Sequence, residues 1–260
     1  MRILEYETNK CIRAFSTLRG KGSDNYAGFN ITHYCGDSAQ HVAECRMELC
    51  NFLGIEDKNL ILPRQTHDNK VICIDNEFTK LSHEEQARLL YGMDAIITNL
   101  PQTCIGVSTA DCIPILLYDA KQRVVAAVHA GWRGTVANIA KECITAMCNK
   151  HGCLPKNIKA IIAPGISIDA FEVGDEVYDN FAEAGFPMTK IAKRYPAAQG
   201  EKWHIDLWEA NRLQLIEEGV KEKNITIAGI CTYTRHEEFF SARRLGINSG
   251  RIFNGIMILQ

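Results

Sequence analysis

The chain has 260 residues, 46% of them hydrophobic and 23% charged, with a formal net charge of -2 at pH 7. That length holds one large domain or two small ones, and the composition is that of an ordinary soluble globular protein. The near-neutral charge excludes nucleic acid and anionic membrane as expected partners, and no run approaches the roughly 18 apolar residues of a membrane span.

The opening "MRILEYETNKCIRAF" carries acidic residues and no long apolar core, so it does not read as a secretory signal. Eleven cysteines without a C-x-x-C pair then point to reduced thiols in a cytoplasm rather than a disulfide framework. Most are expected as small buried hydrophobes. No repeat, low-complexity tract or linker divides the chain, so residues 1–260 are expected to form a single domain.

The first clear element is a helix over 38–53. Val42, Cys45, Leu49 and Phe52 form its apolar stripe, Asp37 or Ser38 its N-cap and Gly54 its stop. Strands are expected at 71–75, 95–98, 113–118, 124–129, 158–163, 225–230 and 252–259. Directly after the 124–129 run, "HAGWRGT" opens a second helix. Val136, Ile139, Ala140, Cys143, Ile144, Met147 and Cys148 recur along it at helical spacing, with Gly134 or Thr135 at its start and Gly152 past its end. "APGISIDAFEVGDEV" is a Pro164-Gly165 turn followed by Phe171, Glu172 and Asp175, leading into a helix that ends near Ala184. A further helix over 206–218 is closed by Gly219. Mixed strand and helix patterns make the class α/β or α+β, and strands apolar on both faces imply a sheet covered on both sides.

Chemistry concentrates in "ADCIPILLYDAKQRVVAAVHAGWRG". A hairpin centred between Ala120 and Lys121 pairs Asp119 with Gln122, Leu116 with Val125 and Cys112 with His129. Directly opposed residues hold their Cβ atoms about 4.5–5.5 Å apart, close enough for a thiolate and an imidazole to share a metal ion. His67, in the polar loop "RQTHDN", is available as a third ligand. Three ligands of this kind with an open fourth position describe a catalytic zinc site, and the mixed donors also suit copper. The plain alternative makes Cys112 a core residue and His129 a satisfied end-of-strand histidine.

Arg133 lies in a glycine-flanked turn that opens a helix, where backbone N–H groups and a guanidinium together suit an anion. The alternative is a solvated arginine at a helix start. Near the C-terminus, "CTYTRHEEFFSARRLGINSGR" gathers Cys231, Arg243, Arg244 and Arg251 among aromatics, a phosphate or base-stacking surface unless they form structural ion pairs.

"RQTH", "DAIIT", "VSTADCIPILLYD", "AAVHAGWRGT", "APGIS", "FEVGDEV", "IDL", "CT" and "FFSARR…GR" occur in the order seen in the YfiH-like proteins. The chain resembles that family, whose domain carries the label multicopper polyphenol oxidase or laccase, over nearly its whole length from Phe15 onward. The "FSTLRGKGS" segment departs from the common family form at Leu18 and Lys21. The resemblance implies a single layered α/β/β/α domain. Its central mixed sheets are flanked by helices, akin to the catalytic domains of cytotoxic necrotizing factors. It also implies purine nucleoside phosphorylase activity together with adenosine deaminase and methylthioadenosine phosphorylase activities, and zinc on His67, Cys112 and His129.

On that reading, purine nucleosides and phosphate are the expected substrates, and no specific protein partner is expected. Arg133, with Arg64 or Arg243, would hold phosphate. Asp111, Glu172 and Asp206 are the candidate carboxylates for proton transfer in deamination, and the sequence does not choose among them. One rival is a copper-dependent polyphenol oxidase, although the eight histidines include no His-x-His pair of the kind a trinuclear copper cluster uses. Another is a cysteine hydrolase with Cys112 as nucleophile and His129 as base, suited to editing cell-wall precursors. The third is a non-catalytic metal-binding module.

Overall fold

The strand Val124–Ala130 is buried at every position. Its residues Val124, Ala126, Val128 and Ala130 belong to one apolar cluster, while Val125 and Ala127 belong to another. Ile113, Ile115 and Leu117 of the neighbouring strand Ile113–Asp119 likewise face one cluster, and Leu116 and Tyr118 the other. Strands apolar on both faces need a layer on each side. The computed structural model, which describes residues 1–22, 24–198 and 200–259, supplies both layers.

These strands are central in a six-stranded mixed sheet in the order Ile225–Ile227, Lys159–Ile162, Ile113–Asp119, Val124–Ala130, Ala95–Thr98, Val71–Ile74. A five-stranded mixed sheet runs Ile3–Glu5, Ile12–Thr17, Ile252–Ile258, Cys104–Thr109, Leu60–Ile61. The sheets meet face to face through Ile12, Ile105, Val107, Ile256 and Ile258 on one side and Ile96, Leu116, Val125 and Ala127 on the other. The helices Ile139–His151 and Leu207–Glu217 cover the outer face of the first sheet, and the helix Ala39–Leu53 that of the second. The layering is therefore helix, sheet, sheet, helix, as expected. A third, antiparallel sheet joins Glu172–Val173, Gly200–Ile205 and Ala192–Ala197. No helix among the described residues is long and apolar enough to cross a membrane.

The helix Ala39–Leu53 has Ser38 as its N-cap and a left-handed Gly54 at its end. Val42, Cys45 and Leu49 are buried, but Phe52 is 45% exposed and lies under the Arg13 guanidinium, while Cys50 and Leu53 face inward instead. The helix after "GWRG" is not continuous. A single turn, Trp132–Val136, is separated from Ile139–His151 by Asn138 in a left-handed conformation. Gln214 donates to Asn138 Oδ1 at 2.6 Å and Asn69 to the Ala137 carbonyl at 2.9 Å, which fixes the break. Gly131 rather than Gly134 or Thr135 caps the first turn.

The hairpin register also differs from the expectation. Asp119 pairs with Val124 and Pro114 with His129, a shift of two residues. The turn is wider because Asp119 Oδ1 accepts the N–H groups of Lys121 and Gln122, at 2.9 and 3.2 Å, and Arg123 takes a positive φ of 53°. Cys112 and His129 are therefore diagonal neighbours rather than directly opposed. A shift of two leaves every side chain on its original face, so the two remain on the same side of the sheet.

Candidate active site

His67, Cys112 and His129 come together at one end of the six-stranded sheet, with their ligand atoms all within 4.8 Å of one another. His129 is buried as the penultimate residue of its strand, Cys112 half-buried just ahead of Ile113–Asp119, and His67 exposed in the loop before Val71–Ile74. Gly131 lies close against two of the three. A Cβ there would lie 3.0 Å from both Cys112 Sγ and His67 Cδ2.

Asp94, fully buried beside the strand Ala95–Thr98, holds this trio in place. Its Oδ1 lies 2.7 Å from His129 Nδ1, and its carbonyl accepts the His129 backbone N–H at 2.7 Å. Its carboxylate also accepts the N–H groups of Thr66, His67 and Asp68 at 3.1, 3.0 and 2.9 Å. Those bonds stabilise the loop in which His67 sits at φ 66°, a conformation that costs about 1–3 kcal/mol for a residue other than glycine. An imidazole whose Nδ1 is committed to a carboxylate presents Nε2 to a metal. Burial alone would raise the Asp94 carboxyl, but the bond and charge of His129 and the loop N–H groups hold it below the ordinary carboxylate range.

Without metal, Cys112 and His129 favour each other's charged forms, thiolate and imidazolium. Burial works against the charged thiolate, but the His129 charge and hydrogen bonds from both histidines outweigh it and bring Cys112 to about 6. Burial likewise opposes a charged His129, and the Cys112 charge with the Asp94 bond raises it to about 9. Two imidazoles and a thiolate of lowered pKa, with one imidazole braced by a carboxylate, fit a metal such as zinc.

The trio opens into a cavity of about 580 Å³ whose walls include Tyr34, Gln65, Asp111, Phe171, Arg243 and Arg251. Arg251 spends its guanidinium on the carbonyls of Ile247, Ser249 and Gly250. Arg243 is exposed, donates to the Glu172 carbonyl at 3.1 Å and lies over the Phe171 ring. The structure thus brings Asp111 and Arg243 together with the three ligands. Other expected residues lie elsewhere. Arg133 is exposed and stacked 4.2 Å over its own Trp132 ring, on a helical turn of five residues, outside the cavity. Arg64 lines a separate cavity of about 590 Å³ between the helices Ala39–Leu53 and His83–Leu90, with its guanidinium over Tyr34 and Tyr91. The Glu172 carboxylate is outside the cavity lining, and Asp206 caps the helix Leu207–Glu217. Ser23 of the "FSTLRGKGS" segment lies outside the described residues.

Asp94, Tyr34 and Gln65 were not singled out from the sequence. For Asp94 a signal existed in "MDAIIT", where an acid stands immediately before a short, mostly apolar strand, a position that buries the charge and demands donors.

Residues 13–259 match the family described as multi-copper polyphenol oxidoreductase laccase. The chain belongs to this family. It is 44% identical over 262 residues to a protein of Bacteroides thetaiotaomicron named purine nucleoside phosphorylase, covering 99% of this chain and 96% of that one. It is 47% identical over 247 residues to a protein of an unknown prokaryotic organism named adenosine deaminase RL5, covering 94% and 93%. Among solved structures, the Bacillus licheniformis protein YfiH superimposes with a TM-score of 0.89 at 26% identity, over 99% of this chain and 96% of that one. As a member of the YfiH-like family, the chain has the mixed α/β fold with sheets flanked by helices that its motif order implied.

Proposed function

We propose that the protein is a zinc-dependent purine nucleoside enzyme. It phosphorolyses adenosine, inosine, guanosine and S-methyl-5′-thioadenosine, and it deaminates adenosine. One observation carries the reading above all: two imidazoles and a cysteine sulfur converge within 4.8 Å in the wall of a cavity that Arg243 also lines. The relatives named for phosphorolysis and deamination support it from outside the structure.

In phosphorolysis a phosphate oxygen bonds to the anomeric carbon while the bond from that carbon to the purine nitrogen breaks. The bonding pair leaves with the base, and the proton of hydrogen phosphate ends on the base. Arg243 holds the phosphate by charge and hydrogen bonding, while Phe171 and Tyr34 offer flat walls to the base. In deamination water adds at the amino-bearing carbon and ammonia leaves. His67, Cys112 and His129 would hold zinc, which supplies a Lewis acid and lowers the pKa of water. Asp94 keeps His129 in the tautomer and orientation that a ligand needs. The eleven free thiols favour a reducing compartment, the cytoplasm.

The test is product analysis with adenosine, inosine and methylthioadenosine, each with and without phosphate. Free base and (methylthio)ribose 1-phosphate that form only with phosphate support the reading. Their absence from every reaction would sink it.

A second reading is favoured by the chain of contacts from Asp94 through His129 to Cys112, which is also that of a cysteine hydrolase. A fully active metal-free protein that forms a covalent adduct at Cys112 would establish it. Protein isolated with copper and oxidising phenols would instead favour the oxidase that the family description names.

A further inference from the structure

Asp111 borders the cavity, but its carboxylate is already committed. Oδ1 accepts the hydroxyl of the fully buried Thr232 at 2.7 Å, and Oδ2 accepts the backbone N–H of Arg243 at 2.7 Å. The Asp111 carbonyl accepts the N–H of Ile166 at 2.8 Å. The residue sits at φ 89°, a left-handed conformation that a side chain other than glycine adopts only where its surroundings impose it.

Arg243 occupies the second position of the short helix Ala242–Leu245, where backbone N–H groups have no partner within the helix. Ser241 Oγ takes up the N–H of Arg244 at 3.2 Å, and Asp111 takes up that of Arg243. The Arg243 guanidinium, by contrast, has only the Glu172 carbonyl and the Phe171 ring as side-chain partners among the described residues. One carboxylate therefore ties the loop that carries Cys112 to the segment that carries Arg243, whose guanidinium has a single hydrogen-bond partner among the described residues.

We propose that Asp111 is a positioning residue, not a proton carrier. It fixes the Arg243 guanidinium against the phosphate that attacks the sugar, with Thr232 as the buried strut that aims the carboxylate. The proposal rests on the phosphorolytic reading above. It assigns the expected carboxylate a role that acts only through Arg243. Disturbing the tie is then felt in the use of phosphate and not in metal binding.

The test compares wild type with Thr232→Val, which removes the hydroxyl at nearly constant volume, and Asp111→Asn, which leaves one acceptor oxygen where there were two. On zinc-loaded protein, the phosphate KM and kcat for ribose 1-phosphate formation from adenosine and the zinc content are measured. Because these bonds act on phosphate only through Arg243, a rise in phosphate KM of up to about tenfold, the worth of one charge-assisted hydrogen bond, is expected, with a smaller fall in kcat and zinc unchanged. In an Arg243→Ala background, Thr232→Val should add nothing, because the strut then has no cation to aim. A collapse of kcat in Asp111→Asn at unchanged phosphate KM, with Thr232→Val behaving as wild type, would place Asp111 on the reacting atoms and overturn the proposal. Loss of zinc from either variant would overturn it in favour of support for the metal loop. A wild type that makes no phosphate-dependent product sinks the phosphorolytic reading itself, an outcome seen before any variant is made.

Discussion

The Asp94 carboxylate lies 2.7 Å from His129 Nδ1 and at the same time gathers the backbone N–H groups of Thr66, His67 and Asp68. Two candidate ligands that are distant in sequence, His67 and His129, are thereby set by one buried side chain. Asp94→Asn retains the size but not the charge, and it presents an amide where acceptors are needed. Zinc affinity is expected to fall about 10–100-fold, the usual effect of losing such a support. A chelator competition assay measures it, and an unchanged affinity would mean that the loop and His129 hold themselves.

Gly131 provides a test of the space rather than of the ligands. A Cβ at this position would stand 3.0 Å from Cys112 Sγ and His67 Cδ2. Gly131→Ala is expected to bind zinc more weakly while keeping its fold, because the crowded atoms belong to the side chains that would hold the metal. Zinc content and circular dichroism read the two effects separately. A variant with full zinc content would show that the trio opens without difficulty.

The guanidiniums divide as clearly. Arg243 borders the cavity and Arg133 does not. Arg243→Ala is expected to weaken phosphate use roughly tenfold to a hundredfold, the cost of one charge-assisted contact. Arg133→Ala should change it less than threefold by the same scale, since its guanidinium rests on Trp132. The phosphate dependence of ribose 1-phosphate formation decides, and the reverse order would restore the anion seat expected from "GWRG".

The pH response of the metal-free protein follows from the lowered Cys112 pKa. The thiolate is the form that alkylates, and it predominates above about 6. Iodoacetamide modification of Cys112 should therefore persist from alkaline pH down through neutrality and fall away below pH 6. Peptide mapping across that range reads it. A midpoint near the ordinary thiol value would show that His129 does not carry the charge that stabilises the thiolate.

Much of this site could be read in the sequence, for identifiable reasons. "QTH", "ADC" and "HAGWRG" are short motifs of reactive residues near strand ends, and the nearly unbroken apolar run in "VVAAVHA" reveals a strand buried on both faces. The hairpin parity placed Cys112 and His129 on one face even though the register was two residues off, because a shift of two preserves facing. What was missed depends on tertiary contact. The strand Cys104–Thr109 contains Gly106, which weakens a strand signal but is required where the Phe253 ring would meet a Cβ at 2.4 Å. Asn138 looked like an ordinary helical residue, and its left-handed conformation depends on Gln214, 76 residues away. The separation of Arg64 from the cavity that holds Arg243 likewise follows from packing between helices, which no local spacing encodes.

On the proposed function, zinc on His67, Cys112 and His129 makes this cavity act on purine nucleosides. The most direct measurement strips the protein of metal, restores zinc in steps, and follows ribose 1-phosphate formation from adenosine and phosphate together with bound metal, for wild type and Cys112→Ser. Wild-type activity should vanish on stripping and return in proportion to zinc up to about one per chain, the number an open three-ligand site takes, while Cys112→Ser neither binds zinc firmly nor recovers. Full activity in the stripped wild type, or a Cys112→Ser protein that holds zinc yet is inactive, would contradict the account.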